Sequence, residues 1–413
     1  MKKVLFSGAA AAALVLGFVA SAQAADPVKL EIGGYANQFF GYADNKKALG
    51  LVNVDEQDDV EIDFKGSSKL DNGLTVAVEV DTNGSQGRTN HSTGSNGAGK
   101  KSFVSVAGAF GAVELGEQDN VGFLIHNSSP DVGGLGGQDG SWNQWVVAPL
   151  GFADFRQRTY AGDDRSANKI IYVSPTLAGF TAGFSYTPSI DTTGVGTTTM
   201  PTNNGGSVGC ANSATSATPN INGGAIANAV GGACLNGDLY VYGVSYAHAF
   251  GDLSVKADIG SGNANVAGLN VYQGGLNLTY KGFTLGGSIL DRDTKNGTTT
   301  FTSVPVVSTA VVNKAIAAGK GTSWDAGLSY VTGPYSLSAT YFFGEAAAAT
   351  NGTLASTAIG YDKDDVWTLG ASYDLGPGVA LKGTVFTADY KRADSALQSN
   401  SGWAAVSSVQ VTF

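Results

Sequence analysis

The chain has 413 residues, of which only 14 % are charged, 43 % are hydrophobic and 59 are glycine. Ordinary globular domains carry roughly a quarter charged residues, and so much glycine excludes a protein of long helices, because each glycine costs roughly 1 kcal/mol in a helix interior. The net charge of −10 argues against a nucleic-acid partner, which needs a basic surface. Three histidines and two cysteines leave little for zinc or haem chemistry.

The first segment reads as an address. Met1, Lys2 and Lys3 form a positive start, residues 4–20 are uncharged and mostly apolar, and Ala22-Gln23-Ala24 is a small-x-small cleavage site. We expect a signal peptide over 1–24 and a single β-barrel domain over 25–413. A membrane-anchoring helix suits the short stretch less well.

Beyond it the sequence alternates. Val60, Ile62 and Phe64 take turns with Asp59, Glu61, Asp63 and Lys65. Leu74, Val76, Val78 and Val80 do the same, as do Val409, Val411 and Phe413 near the end. Alternation puts each set on one face of a strand. Seven tight turns punctuate the strands: Asp71 to Gly73, Gly108 to Gly111, Pro175 to Gly179, Phe250 to Asp252, Lys281-Gly282, Thr332 to Pro334 and Gly376 to Gly378. Their residues accept positive φ or fix a bend. Long polar connections fall between them, at about 45–57, 83–100, 119–165, 188–237, 261–268, 294–320, 345–362 and 391–400. Short and long connections therefore alternate, and together they join about 16 strands. All short turns would lie at one end, a layout an outer-membrane barrel shows and a soluble sandwich does not require.

Alternation does not by itself assign the strand faces. Apolar residues would point outward in a wide lipid-facing barrel and inward in a soluble one. Aromatics gather near expected strand ends: Phe39, Phe40, Tyr42, Trp324, Tyr361, Trp367 and Trp403 at one, and Phe180, Phe250, Tyr280, Phe283, Tyr335 and Phe413 at the other. Two such bands would be interfacial girdles. Residues 239–250 have no clearly polar face, so that strand either meets a neighbouring subunit or is read one residue out of register. Cys210 and Cys234 bracket an uncharged loop, which a disulfide would close; otherwise they are two free thiols.

Several motifs resemble the Gram-negative general diffusion porins, most closely the alphaproteobacterial type. Ser102 to Gly116, with its Gly108-Ala109-Phe110-Gly111 turn, is similar to the family's fourth and fifth strands. Pro130-Asp131-Val132-Gly133-Gly134 is similar to a motif of the third loop, and Phe413 resembles the terminal outer-membrane assembly signal.

The resemblance implies an all-β, transmembrane antiparallel barrel of about 16 strands, usually a homotrimer in outer-membrane lipid, whose third loop (about 119–165) folds into the lumen to form a constriction. It implies acidic residues on one side, here Glu117, Asp119, Asp131, Asp139 and Asp154. The opposing wall would be basic, with candidates Lys65, Lys101, Arg156, Arg158 and Arg165. The sequence departs from that pattern on its second strand, where the family carries arginines and this chain carries Asp59, Glu61 and Asp63. These carboxylates either line the lumen and favour cations or form a solvated rim above the constriction.

No catalytic constellation is legible: there is no nucleophile elbow, no phosphate loop, and His91, His126 and His248 lack ligand spacing. Asp291 to Lys295 only faintly matches a calcium loop and reads better as a strand end. We expect no cofactor or metal and no enzyme activity. The leading function is passive, weakly cation-favouring diffusion of small hydrophilic solutes and ions. A solute-specific channel is the close rival, although Tyr35 and Phe39 alone do not make an aromatic slide. More distant readings are a non-channel outer-membrane adhesin, a secreted all-β binding protein, and an outer-membrane hydrolase using Ser245 and His248.

Overall fold

The computed structural model describes residues 28–46, 52–84, 99–137, 140–149, 158–161, 167–188, 238–264, 269–294, 320–347, 360–393 and 399–413. The expected signal peptide, Asp139, Asp154, Arg156, Arg165, Cys210 and Cys234 lie outside the described residues. The architecture is a closed antiparallel barrel of 16 strands in sequential order. In chain order these are β1 (Lys29–Asn45), β2 (Val54–Lys69), β3 (Thr75–Asn83), β4 (Gly99–Gly108), β5 (Gly111–Glu117), β6 (Asn168–Val173), β7 (Phe180–Thr187), β8 (Leu239–Phe250), β9 (Leu253–Ala264), β10 (Leu269–Tyr280), β11 (Phe283–Thr294), β12 (Gly321–Thr332), β13 (Tyr335–Ala347), β14 (Tyr361–Gly376), β15 (Val379–Lys391) and β16 (Asn400–Thr412).

β1 pairs with both β2 and β16, from Tyr35 opposite Thr412 to Asn45 opposite Gly402, so no edge is left open. The closure extends one residue further, because Gly34 and Phe413 exchange N–H···O bonds of 3.1 Å in each direction. Closure satisfies the ladder groups internally, as lipid demands. The seven expected turns each join two strands, and Lys281, Gly251, Gly333 and Gly378 take the positive φ those bends require.

The faces are those of a barrel in lipid. Along β14, Asp362, Asp364, Val366 and Thr368 are buried on the inside, while Trp367 and Leu369 alternate with them and are 62 % and 64 % exposed on the outside. Phe64 sits opposite Val80 on the outer face, both exposed, with Val409, Val411 and Phe413 likewise outward. Apolar side chains pointing away from the lumen belong against acyl chains. Both aromatic bands form: Tyr42 against Trp403 and Trp324-Tyr341-Trp367 in a row near the long-loop end, and Phe180-Tyr246 and Phe283-Tyr330 near the short turns. Phe39 leaves its expected band and turns inward, where it packs on the internal apolar cluster described below.

No helix among the described residues is long and apolar enough to cross a membrane; the crossing is made by strands.

Candidate functional site

The connection between β5 and β6 folds into the lumen and follows the inner wall. It begins with a one-turn helix, α1 (Val121–Leu124), whose N-terminus is capped by the Asn120 side chain accepting from the Phe123 N–H at 3.1 Å. Val121 and Ile125 press onto β7 and β8, where Gly183 and Gly243 leave room; a Cβ at Gly243 would stand 2.4 Å from Ile125 Cδ1. This answers the ambiguous 239–250 strand. Its outer face is Tyr240, Tyr242, Val244 and Tyr246, and its inner face is apolar because the loop covers it.

The loop is then tied down by polar contacts. Asp258 of β9 accepts from the Asn127 backbone N–H at 2.7 Å and its Nδ2 at 2.9 Å, and lies 3.1 Å from His126 Nδ1. The other imidazole nitrogen is 2.9 Å from Thr159 Oγ1, which reaches Ser288 Oγ at 2.6 Å; Ser288 donates to Asp325 at 2.8 Å. Asp325 also accepts from the Ser129 N–H. These buried groups form one connected network in which most desolvated atoms find a partner, Asp325 Oδ2 being an exception. Further along, Asp131 accepts from the N–H groups of Gly133, Gly134 and Gly136 and from Ser338 of β13. The motif carboxylate thus folds its own glycine turn, and Lys382 of β15 sits beside Gly134 within electrostatic reach of it.

The far arm of the loop is held by apolar packing. Leu135, Trp142, Trp145 and Val146 dock on Phe342, Val366, Phe386, Tyr390, Ala404 and Val406, all inward-facing residues of β13 to β16. Trp142 lies 5.0 Å from Phe342, and a Cβ on Gly41 of β1 would strike the Trp145 ring at 2.6 Å. Asn45 Nδ2 donates to the Trp145 carbonyl at 2.9 Å, and Gln57 reaches the Gln144 carbonyl.

The inner wall is therefore divided. From β7 round to β16 the loop covers much of it, and Lys256 of β9 and Lys382 of β15 keep exposure beyond the covered part. On β2 to β5 the inward side chains include Asp59, Glu61, Asp63, Lys65, Lys69, Glu79, Asp81, Lys101 and Glu114, and most of them keep intermediate exposure. Lys65 bridges Asp63 and Glu79 at 3.4 Å each, Lys101 bridges the buried Asp119 at 3.1 Å, and Tyr35 Oη donates to Asp59 at 3.0 Å. Arg158 is buried beside the Tyr160 ring, 5.6 Å from its centroid, and its carbonyl accepts from Ser323.

One expected constriction residue falls elsewhere. Glu117 pairs with Ser102 and Asn168, which puts it on the outward face with Val113 and Leu115, whereas Glu114 faces inward. Sequence reasoning also passed over Glu79, Asp81, Lys256 and Lys382. All four alternate with outward apolar neighbours, a signal available for each once the strand register is known. Ser245 and His248 stand three apart on β8 and so face opposite sides, with His248 among the outer rings of Tyr246 and Phe250. That separation removes the hydrolase pair. Asp291 to Thr294 end strand β11, with Thr322 donating to Asp291 at 2.8 Å.

A lipid-facing closed barrel with an inward-folded third loop decides the comparison with known proteins, and the sequence profile of Gram-negative porins matches residues 9–393. The chain belongs to the Gram-negative porin family. It is an outer-membrane diffusion channel. The porin's fold is also that of solved structures at low sequence identity. An anion-selective porin from Comamonas acidovorans is 18 % identical, with TM-score 0.52, 94 % of this chain covered and 100 % of that one. A mutant of the Rh. blastica porin is 14 % identical, with TM-score 0.52 and coverage of 93 % and 100 %. Vibrio cholerae OmpT lacking loop L8 is 11 % identical, with TM-score 0.53 and coverage of 93 % and 100 %. No curated protein sequence matches the chain.

Proposed function

We propose that this porin passes small hydrophilic solutes and ions passively, favours cations weakly, and works as a homotrimer after removal of residues 1–24. The observation that carries the selectivity is the charge of the uncovered wall. Among the described residues Asp59, Glu61, Asp63, Glu79, Asp81 and Glu114 face inward there and outnumber the lysines Lys65, Lys69 and Lys101. Fixed carboxylates in a narrow, low-dielectric passage raise the local cation concentration and oppose anions. Lys382 and Lys256 stand on the other side of the barrel, so the field also has a transverse component. Selection by size follows from the docked loop, with no moving part and no energy input.

Asp119 and Asp131 act in this reading through the loop's position as much as through charge, because one is bridged to Lys101 and the other is wrapped by glycine N–H groups. The same reading gives Arg156, Arg158, Arg165, Asp139 and Asp154 the constriction, Cys210 and Cys234 a disulfide across the outer loop, and Phe413 the assembly signal. The experiment is a planar bilayer held across a salt gradient. Conductance steps in groups of three support the trimer, and a reversal potential of cation-favouring sign supports the acidic wall. An anion-favouring sign overturns it.

A further inference from the structure

Glu61, Asp63 and Asp81 converge on the β2–β3 wall, each offering a carboxylate oxygen within 4.8 Å of the others. The register explains the convergence: Asp63 stands opposite Asp81, and Glu61 is the next inward residue, opposite Asn83. An acidic cluster alone would be only a solvated face. Here the middle member is different, because Asp81 is 1 % exposed and its Oδ1 makes no hydrogen bond. The Oδ1 atoms of Asp63 and Asn83 are likewise buried without a hydrogen bond. Neither nearby lysine serves them, since Lys65 reaches the other Asp63 oxygen and Glu79, and Lys101 is drawn to Asp119. Buried carboxylate oxygens without a partner are costly and call for a counter-charge.

We propose that this pocket binds a hard divalent cation, calcium in preference to magnesium. Every donor is oxygen, which suits calcium or magnesium and not the softer metals. The donors come from two strands with unequal reach, which calcium's flexible six to eight ligands tolerate and magnesium's strict octahedron does not. Water from the lumen would complete the shell. The site rests on the reading of this wall as water-lined, and it extends that reading: an occupied site cancels part of the acidic charge, so calcium lowers the cation preference of the channel.

The test uses the full porin refolded in detergent and terbium as a calcium probe. Tyr35, opposite Glu61, supplies a nearby antenna. The expected result is saturable terbium luminescence displaced by calcium but not by sodium, and about tenfold or more weaker in Asp81→Asn and in Asp63→Asn. Circular dichroism confirms that each variant is folded. No saturable binding by the wild type overturns the site, whether a proton or nothing neutralises Asp81; binding that survives both substitutions overturns it too. In the bilayer, added calcium moves the wild-type reversal potential toward the anion side and leaves that of Asp81→Asn in place. A cation-favouring channel indifferent to calcium sinks the site alone. An anion-favouring channel with saturable calcium binding sinks the selectivity reading alone.

Discussion

Replacing Trp145 by Ala tests whether apolar docking holds the constriction in place. Trp145 is 4 % exposed, with its ring lodged between Gly41 of β1 and Val406 of β16. A tryptophan buries about 150–250 Å², and at about 25 cal/mol per Å² that is roughly 4–6 kcal/mol of apolar burial. Truncation of such a residue costs about 3–5 kcal/mol in soluble cores, so about 4 kcal/mol is a consistent figure for the arm's lost docking energy. The barrel itself keeps its ladders, because none of them runs through this side chain. The loss falls on the equilibrium between a docked and a lifted arm. Each 1.4 kcal/mol is a factor of ten, which makes lifted excursions about a thousandfold more frequent. The hydrogen bonds from Asn45 to the Trp145 carbonyl and from Asn400 to the Val147 carbonyl survive the substitution and oppose lifting by about 1 kcal/mol each. The assay is single-channel recording of folded variant protein, read as open-state current noise and mean conductance. The expected outcome is a noisier channel of larger mean conductance with unchanged barrel stability to heat. A Trp145→Ala channel as quiet and as narrow as the wild type refutes the claim that this contact positions the loop.

Asp258→Ala strips the acceptor from the Asn127 N–H and from His126 inside a dry network, and a stranded buried group costs about 1–3 kcal/mol. The amides of residues 121–129 should exchange with deuterium faster while strand amides do not. Gly275→Ala places a methyl 2.0 Å from the Asn127 carbonyl oxygen, so the loop backbone must move; the same exchange measurement should show it, with destabilisation of about 1–3 kcal/mol. Asp59→Lys combined with Glu61→Lys reverses charge on the uncovered wall, and the reversal potential across a salt gradient should shift toward the anion side. Lys382→Gln removes the cation facing Asp131 and should shift it the opposite way.

The strand count, the seven turns and the alternation that sets Phe64, Val80 and Val411 apart from their polar neighbours were legible because each depends on neighbours one or two residues away; that this face is the outer one was an expectation carried by the aromatic bands and the family resemblance. The inner wall was not legible to the same degree. Phe342 lies between Tyr341 and Phe343, so the run shows no alternation, and both faces are apolar for different reasons. The outer face meets lipid, and the inner one meets Trp142, some two hundred residues earlier in the chain. Val366 and Phe386 are inward for the same cause. No local period encodes a partner that arrives by loop closure. Glu117 misled for a smaller reason: it sits at a strand end, where one residue decides between wall and outer face.

The docking of the loop also explains where the passage runs. A wide barrel with a polar inner face all round would hold a central, symmetric pore. Here β13 to β16 spend their inward positions on Phe342, Val366, Phe386 and Ala404, which only a dry partner can cover. The loop must therefore lie against that side, and β2–β5 are left the more open to water. The charges follow the water: carboxylates crowd the uncovered strands, while on the covered side Asp258 and Asp325 are bonded by N–H groups of the loop, and Asp325 also by the Ser288 hydroxyl of β11. In the proposed function, selectivity is set by which strands the loop leaves bare. A substitution that loosens Trp145 should change the sign-determining field as well as the width, because it uncovers a different wall.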